Sequence, residues 1–357
     1  MANAIRPEEA LVSTRRYPLP QPKGWFFAAY SDDLAPGQSR AIRYFDEDMV
    51  MFRTESGEVK ILEAYCPHMG AHLGHGIHEH VGNGGEVRGD TIVCPFHGWR
   101  FNGDGVCEEV PYAKNMPPKV KDQQCLRSWP VQEKNQVIWF WHHPEGAAPE
   151  YDVIAIPECA PDHPEWGTAV RYHQRIRTHI QDMAENGADP AHFQYVHGTM
   201  DVPVPEDAVF DGHRRSAVLP SQMPTPRGVV EGCITFENNG PGQSWVKFSG
   251  ICDTLQQALV TPVDDDYVDV HFFFLQKRDE NGEVPQGGVN AAICQNIIQQ
   301  LREDTPIWEH KKYWNAPLLC DGDGPIAKFR KWYSQFYEGY TEEKEAEFTQ
   351  RFLRKAG

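Results

Sequence analysis

Residues 65–107 decide the fold of this chain, because two short loops within them repeat the same chemistry. The first loop reads YCPHMGAH at residues 65–72, and the second reads CPFHGW at residues 94–99. Each places a cysteine two or three positions before a histidine: Cys66 and His68, then Cys94 and His97. Proline and glycine accompany each pair and favour tight turns. The pattern predicts two loops that bind one shared ligand from opposite sides.

The mixed cysteine–histidine pairs indicate an iron–sulfur cluster. In a Rieske [2Fe–2S] centre, two thiolates hold one iron and two imidazoles hold the other. A Cys₂His₂ zinc site uses the same ligands, but it usually pairs like with like, as C-x₂₋₄-C and H-x₃₋₅-H. The spacing here therefore favours a Rieske centre over zinc, with Cys66, His68, Cys94 and His97 as the cluster ligands.

The residues around the ligands predict a cluster of low potential. High-potential Rieske proteins carry a disulfide between the loops and hydroxyl groups that donate to the sulfurs. This chain has Ala71 and Phe96 at the disulfide positions, and Trp99 and Phe101 at the hydroxyl positions. Fewer hydrogen bonds to sulfur leave the reduced cluster less stabilised. Such a cluster suits delivery of electrons to oxygen chemistry.

Composition excludes several classes of partner. The chain of 357 residues is long enough for two domains. Its net charge of −17 argues against nucleic acid or an anionic membrane surface as partner. No C-x-x-C pair occurs among the nine cysteines, and the seven outside the cluster motif resemble reduced thiols of a cytoplasmic protein. No apolar run approaches membrane-spanning length, and residues 1–20 lack a signal-peptide core.

The order of patterns along the chain predicts an α+β protein. Residues 1–22 read as an arm, residues 23–145 as an all-β cluster domain, and residues 150–357 as a catalytic domain. The first domain shows short alternating segments separated by turn signals. The second mixes strands with helical stretches at 179–197, 291–313 and 341–355.

Two further stretches could have a function in metal or substrate binding, but a structural role is the favoured interpretation for both. Residues 78–87 are rich in histidine and glycine, and their irregular spacing predicts a surface loop and not a metal tract. Residues 268–275 contain Phe272, Phe273 and Phe274, which could line a substrate cavity but are more typical of core.

A second metal motif lies at residues 185–197, ENGADPAHFQYVH. His192 and His197 are five positions apart, and Asp189 precedes the first by three. Two imidazoles and one carboxylate on one face are the ligands of mononuclear non-haem Fe(II), which keeps open positions for O₂. In isolation the two histidines would be ordinary helix-surface residues, but beside a low-potential Rieske motif the metal interpretation is favoured.

The third ligand of this iron must come from another part of the chain. Asp304 is the prediction, because Leu301, Asp304 and Trp308 share an inward helical face. Glu303, one position round the helix, is expected to face solvent. Asp189 is too close to His192 to be the ligand of choice, and we expect it to hydrogen-bond a ligand histidine instead.

With both motifs quoted, the chain resembles the oxygenase component of Rieske non-haem iron oxygenases over nearly its whole length. It is most similar to the steroid-acting branch, the 3-ketosteroid 9α-hydroxylases and cholesterol 7-desaturases. The similarity rests on YCPHMGAHLG at 65–74, DGVCEEVPY at 104–112, IWEHK at 307–311, NAPLLCDGDGP at 315–325 and RKWYSQFY at 330–337.

The resemblance implies an N-terminal Rieske β-domain followed by a helix-grip catalytic domain with an antiparallel sheet. It implies a head-to-tail homotrimer, in which Asp189 bridges the cluster of one subunit and the iron of the next. It also implies O₂ as co-substrate, and NADH electrons delivered by a separate flavin/iron–sulfur reductase. The expected activity is hydroxylation or desaturation of a sterol or steroid ring by a monooxygenase of the EC 1.14 class.

Two alternatives remain open at this point. An electron-transfer ferredoxin would explain residues 66–97 but not His192, His197 or the two hundred residues that follow the cluster. Among oxygenases, an aromatic ring hydroxylase or an O-demethylase is the second choice, because hydropathy does not distinguish an aryl ring from a sterol.

Overall fold

The computed structural model describes residues 17, 19–78, 82–198, 208–225, 228–314 and 316–339. The predicted terminal helix at 341–355 lies outside these residues, as do most of the predicted arm at 1–22 and residues 79–81 of the predicted surface loop. No described helix is both long and apolar enough to cross a membrane.

The first part of the chain is all β. Its strands are β1 (Gly24–Tyr30), β2 (Ser39–Tyr44), β3 (Glu47–Arg53), β4 (Val59–Glu63), β5 (Ile77–His78), β6 (Gly82–Asn83), β7 (Glu86–Arg88), β8 (Thr91–Val93), β9 (Arg100–Asn102), β10 (Cys107–Glu109), β11 (Ser128–Trp129), β12 (Val131–Lys134) and β13 (Val137–His142). The predicted all-β character of this part is thus confirmed. The predicted loop at 78–87 contains a short pairing of β5 with β6.

Four sheets build this part, in the orders β1-β13-β12, β11-β4-β3-β2, β10-β9-β8-β7 and β5-β6. β1 and β13 are buried along their whole length, which explains why both sequences are continuously apolar and aromatic. The loop after β4 carries Cys66 and His68, and the loop after β8 carries Cys94 and His97. Two strand ends thus present the two halves of the cluster motif.

The second part is a seven-stranded antiparallel sheet with helices. The strands are β14 (Trp166–Ile176), β15 (Val209–Asp211), β16 (Arg214–Thr225), β17 (Gly228–Asn239), β18 (Gln243–Ser249), β19 (Thr254–Pro262) and β20 (Val268–Lys277), in the order β14-β20-β19-β18-β17-β16-β15. The helices are α1 (Ile180–Glu185), α2 (Ala191–Val196), α3 (Gly288–His310) and α4 (Ile326–Tyr333). The α+β class is confirmed.

The helical stretch predicted at 179–197 is broken in the structure. A single turn of 3-10 helix at Asn186–Ala188 separates α1 from α2, and Pro190 follows it. Proline lacks the N–H that a continuous helix needs, so the helix restarts after it. The two predicted iron histidines therefore lie in α2 and at its C-cap, and not on a continuation of α1.

One face of the sheet packs on α3. Val268, Val270, Phe272 and Phe274 of β20 share a core with the inward face of α3. Phe272 and Phe274 are therefore core residues, as the simpler interpretation predicted. Strand register extends the same face across the sheet, because Phe274 pairs with Gln256, Gln256 with Val246, Val246 with Phe236, and Phe236 with Ala217.

The core is continuous between the two parts of the chain. Trp25, Phe27 and Trp139 of the first part pack with Leu259 and Phe273 of the second. Main-chain bonds also cross, since the N–H groups of Phe45 and Asp46 donate to the carbonyls of Pro262 and Val263 at 2.9 and 2.8 Å. The boundaries at 145 and 150 remain a prediction, but the packing shows no gap between two separate cores within the described residues.

This shared core gives a testable expectation. Phe273 is fully buried between the two parts, and Phe273→Ala should cost about 3–5 kcal/mol of unfolding free energy. Both parts should unfold together, so cluster absorbance and far-UV circular dichroism should share one denaturation midpoint, shifted equally in the variant. Val229→Ala, on an exposed side chain, is the control. Two separate midpoints in the wild type would contradict the shared core.

Two candidate metal centres

The two cluster loops are built the same way. In the first, the N–H of Gly70 donates to the carbonyl of Cys66, and in the second, the N–H of Gly98 donates to the carbonyl of Cys94, each at 2.9 Å. Both glycines have a left-handed backbone, with φ of 74° and 72°, which favours glycine over other residues. The glycine after each histidine is thus required by the turn that closes the loop.

The four donors of the cluster motif converge. The Cys66 and Cys94 side chains are buried and hydrogen-bond to each other. The hydrogen bond from Cys66 lowers the pKa of Cys94 to about 6, and main-chain N–H groups of Phe96 and His97 add to this effect. The same shared proton raises the pKa of Cys66, as expected for two thiols that titrate as a pair.

The histidine nitrogens complete the cluster set. The rings of His68 and His97 lie 4.6 Å apart between centroids, and the buried Nδ1 atoms of both have no hydrogen-bond partner among the residues that the structure describes. A buried nitrogen without a partner is costly unless a ligand satisfies it. Two thiols and two such nitrogens, gathered by two matching loops, fit a [2Fe–2S] cluster.

Aromatic side chains occupy the positions around the cluster ligands. The Trp99 ring stacks on the His68 ring at 4.7 Å with an interplanar angle of 9°, and its Nε1 donates to the Tyr112 hydroxyl at 2.9 Å. Phe101 is fully buried. The side chains at the two predicted hydroxyl positions therefore give the sulfurs no hydroxyl donor, in agreement with the low-potential interpretation.

Loss of one cluster ligand should remove the cluster. Cys94→Ser should yield protein without Rieske-type visible absorbance and with about two irons fewer per chain, because a [2Fe–2S] cluster needs all four ligands. Iron and sulfide assay and reduced-state EPR measure this. Cys320→Ser, which alters an exposed thiol, is the matched control. A cluster of unchanged spectrum in Cys94→Ser would refute the assignment.

The second candidate centre joins α2 to α3. One ligand atom each from His192, His197 and Asp304 lies within 4.8 Å of the others. His197 Nε2 is 3.4 Å from Asp304 Oδ1, and the two histidine rings are 5.3 Å apart at 80°. Burial raises the pKa of Asp304, and the nearby imidazoles offset only part of that effect. A bound Fe(II) would stabilise this carboxylate, so the donor set fits the ion.

Both histidines are oriented by a hydrogen bond from their Nδ1 atom. His192 Nδ1 donates to the main-chain carbonyl of Asp189 at 2.5 Å, and His197 Nδ1 donates to Glu303 Oε2 at 2.9 Å. The Asp189 carboxylate accepts from the N–H of Ala191 at 3.0 Å. Asp189 therefore bonds His192 through its main-chain carbonyl, while its carboxylate bonds the main chain of Ala191.

Glu303 differs from the expectation that it faces solvent. Successive helical residues are about 100° apart, and the His197 ring lies where both Glu303 and Asp304 reach it. Sequence reasoning also missed Asn186, whose side chain hydrogen-bonds Asp304 and accepts from Trp308 Nε1 at 3.3 Å. The feature of the sequence that could have indicated a role for Asn186 is its position three residues before Asp189.

The C-terminal segment RKWYSQFY at 330–337 holds α1 in place. Arg330 donates to both carboxylate oxygens of Glu185 at 2.8 Å, and the Tyr337 hydroxyl donates to Gln181 Oε1 at 2.6 Å. Behind the turn that follows α1, the buried Arg215 donates to the carbonyl of Gly187 and lies over the rings of Phe210, Phe236 and Phe329. Remote residues thus fix the turn that precedes the iron motif.

A second histidine–carboxylate group does not fit a metal. His173, Asp269 and His271 lie close together on β14 and β20. Arg175 donates to both oxygens of Asp269 at 2.8 and 2.9 Å, and the two imidazole rings stack at 4.4 Å with an angle of 24°. A neighbouring guanidinium repels a cation, and stacked rings do not direct their nitrogens to one point. The group is an ion-paired part of the junction between the two halves.

Comparison with known proteins gives the family. Residues 24–130 match the Rieske [2Fe-2S] domain, and residues 140–337 match the 3-ketosteroid 9alpha-hydroxylase C-terminal domain. The chain is 31% identical to a 3-ketosteroid-9-alpha-monooxygenase, oxygenase component, of Rhodococcus rhodochrous, covering 92% of this chain and 87% of the relative. It is 32% identical to the cholesterol 7-desaturase of Caenorhabditis elegans, covering 88% and 77%.

Solved structures agree in fold. Dicamba monooxygenase bound to dicamba superimposes with a TM-score of 0.62 at 18% identity, covering 88% of this chain and 96% of the other. NdmB of Pseudomonas putida CBB5 does so with a TM-score of 0.65 at 20% identity, covering 87% and 89%. The Rieske domain and the monooxygenase relatives confirm the [2Fe–2S] cofactor and the enzyme class predicted from the sequence. This chain belongs to the Rieske non-haem iron oxygenases, within the family defined by the 3-ketosteroid 9α-hydroxylase C-terminal domain.

Proposed function

We propose that this protein is the terminal oxygenase that hydroxylates or desaturates a ring carbon of a sterol or steroid. It uses O₂ and electrons from NADH, delivered by a separate flavin/iron–sulfur reductase. The observation that carries the proposal is the pairing of a Cys₂His₂ pocket with a His₂Asp pocket in one chain whose relatives bear steroid and cholesterol names. A ferredoxin would have no use for the second pocket.

We propose roles for the residues as follows. Cys66, His68, Cys94 and His97 hold the cluster, and His192, His197 and Asp304 hold the iron. Bound together, these groups supply one-electron transfer from the cluster to the iron and oxygen activation beside the substrate. The chain orients the donors through the carbonyl of Asp189 and the carboxylate of Glu303.

An apolar wall supports a sterol-like substrate. Beyond the part that α3 covers, the half-buried apolar side chains on the α3-facing side of the sheet include Leu219, Ile234, Phe236, Val246 and Phe248. We call these five the open apolar wall. Half-buried apolar side chains that share one sheet face are a usual lining of a ligand site. A rigid polycyclic hydrocarbon would bury this wall without leaving polar groups unpaired.

Exposed aromatic and sulfur side chains near both centres support a head-to-tail trimer. Met69, Phe96 and Tyr112 beside the cluster are 65%, 59% and 59% exposed, and Tyr195 beside the iron histidines is 83% exposed. Apolar groups uncovered at a functional end mark an interaction surface. We propose that the cluster end of one subunit meets the iron end of the next, with Asp189 between them.

We also propose that the protein works in the cytoplasm. All nine cysteines lie in the described residues and are free, which suits a reducing compartment.

A product assay tests the substrate class. The iron-loaded protein is supplied with NADH, a partner reductase and a panel of sterols, 3-ketosteroids and vanillate-like or biphenyl-like rings. Mass spectrometry should detect steroids gaining one oxygen or losing two hydrogens, and Asp304→Ala should form neither product. Turnover of the aromatic compounds with no steroid consumed would move the protein to the aromatic hydroxylase or O-demethylase class. Iron content of about three per chain, two of them in the cluster, separates either oxygenase from a ferredoxin.

A further inference from the structure

Glu303 and Asp304 lie at different nitrogens of the His197 ring. His197 Nδ1 donates to Glu303 Oε2 at 2.9 Å, while His197 Nε2 lies 3.4 Å from Asp304 Oδ1. The His197 side chain is only 2% exposed. Two consecutive carboxylates of α3 therefore lie at the two nitrogens of one imidazole, Glu303 as the hydrogen-bond acceptor of Nδ1 and Asp304 beside Nε2.

Glu303 is itself held in place. Gln299, one helical turn earlier, donates from Nε2 to Glu303 Oε1 at 3.2 Å. Each carboxylate oxygen thus has a partner, one from α3 and one from the ligand histidine. A carboxylate fixed on both oxygens loses less rotational freedom when it orients another group, which makes it a more effective support.

The two histidines are supported unequally. His192 donates to a neutral main-chain carbonyl, whereas His197 donates to a carboxylate. A carboxylate acceptor fixes the tautomer with hydrogen on Nδ1, leaves Nε2 free as a ligand, and makes that nitrogen more basic than a carbonyl does. It also adds a second negative charge beside the two-histidine, one-carboxylate set.

We propose that Glu303 is a positioning residue for the mononuclear iron, one that makes His197 the more strongly binding of the two histidines. The inference rests on the proposed ligand set of His192, His197 and Asp304. A purely structural ion pair between Glu303 and His197 is the alternative. That alternative predicts a change in folding stability and no change in the rate at which iron leaves.

Iron release measures the difference. The purified holoenzyme is mixed with a ferrous chelator, and mononuclear iron release is followed while cluster absorbance is recorded separately. Glu303→Ala should weaken Fe(II) binding about 10- to 100-fold, the usual effect of losing such a partner. Glu303→Gln, which keeps an acceptor oxygen but no charge, should fall between Glu303→Ala and the wild type. Gln299→Ala should produce a smaller change in the same direction.

Glu280→Gln is the control for a general loss of negative charge, and Asp304→Ala is the control for the ligand set. Glu280→Gln removes one negative charge from an exposed turn and should match the wild type. Iron release from Glu303→Ala at the wild-type rate, with the cluster intact, would overturn the role of Glu303. If Asp304→Ala also retains its mononuclear iron, the ligand set is wrong and the proposed function fails at an earlier step. If Glu303→Ala does not fold, Glu303→Gln at the wild-type release rate still excludes a role for the charge.

Discussion

Asp304→Ala should abolish turnover while leaving the cluster spectrum unchanged. Asp304 supplies the only carboxylate of the proposed iron set, and its side chain is 11% exposed at the junction of α2 and α3. Without it two neutral imidazoles remain, a set with fewer donors and no charge to balance Fe(II). Loss of even an outer partner costs about 10- to 100-fold, so removal of a ligand should exceed that range.

Metal analysis and turnover measure the outcome together. Asp304→Ala should contain about two irons per chain instead of about three, all in the cluster. The cluster loops belong to the first part of the chain, so their absorbance and EPR should not change. Asp321→Ala, on an exposed acid, is the control. Full activity with mononuclear iron retained would show that another carboxylate completes the site.

Asp189→Asn should leave both metals bound and slow electron transfer between them severely. The main-chain carbonyl that holds His192 is unaffected by the change, and an asparagine oxygen can still accept from the N–H of Ala191. The variant therefore removes the charge and keeps the geometry. The proposed bridge between subunits depends on that charge, because a carboxylate would accept a stronger hydrogen bond from a cluster histidine of the next subunit than an amide oxygen would.

Single-turnover kinetics distinguish this effect from loss of iron. Pre-reduced enzyme is mixed with O₂ and substrate, and oxidation of the cluster is followed by its absorbance. The rate in Asp189→Asn should fall by orders of magnitude, at unchanged iron content. Asp162→Asn, in an exposed turn, should match the wild type. Unchanged cluster oxidation in Asp189→Asn would remove the bridging role.

The candidate cluster ligands were predictable because their geometry is local. Hydrogen bonds that span four residues close both loops, and one glycine in each loop supplies the left-handed backbone. A motif of five residues therefore contains both its ligands and the turn that presents them. The buried strands β1 and β13 were readable for the same reason, since apolar continuity is a property of neighbouring residues.

The iron site was only partly predictable. His192 and His197 lie in one short segment, and helical periodicity selected Asp304 as the inward acid. Helical periodicity predicts that Glu303 faces solvent, because it considers one helix alone and not the elements that pack beside it. His197 is 106 residues away from Glu303, and its ring lies where both acids reach it.

Sequence by itself determined which residues pair within loops, which strands are buried and which family the motifs resemble. Tertiary structure alone decided that Asp189 holds His192 by its carbonyl, that Glu303 supports His197, and that one core joins the two parts of the chain. The physical reason is the range of the interactions. Turn closure and strand or helix periodicity act over a few residues, whereas a support for a ligand requires two distant side chains whose meeting depends on how α2, α3 and the sheet pack together.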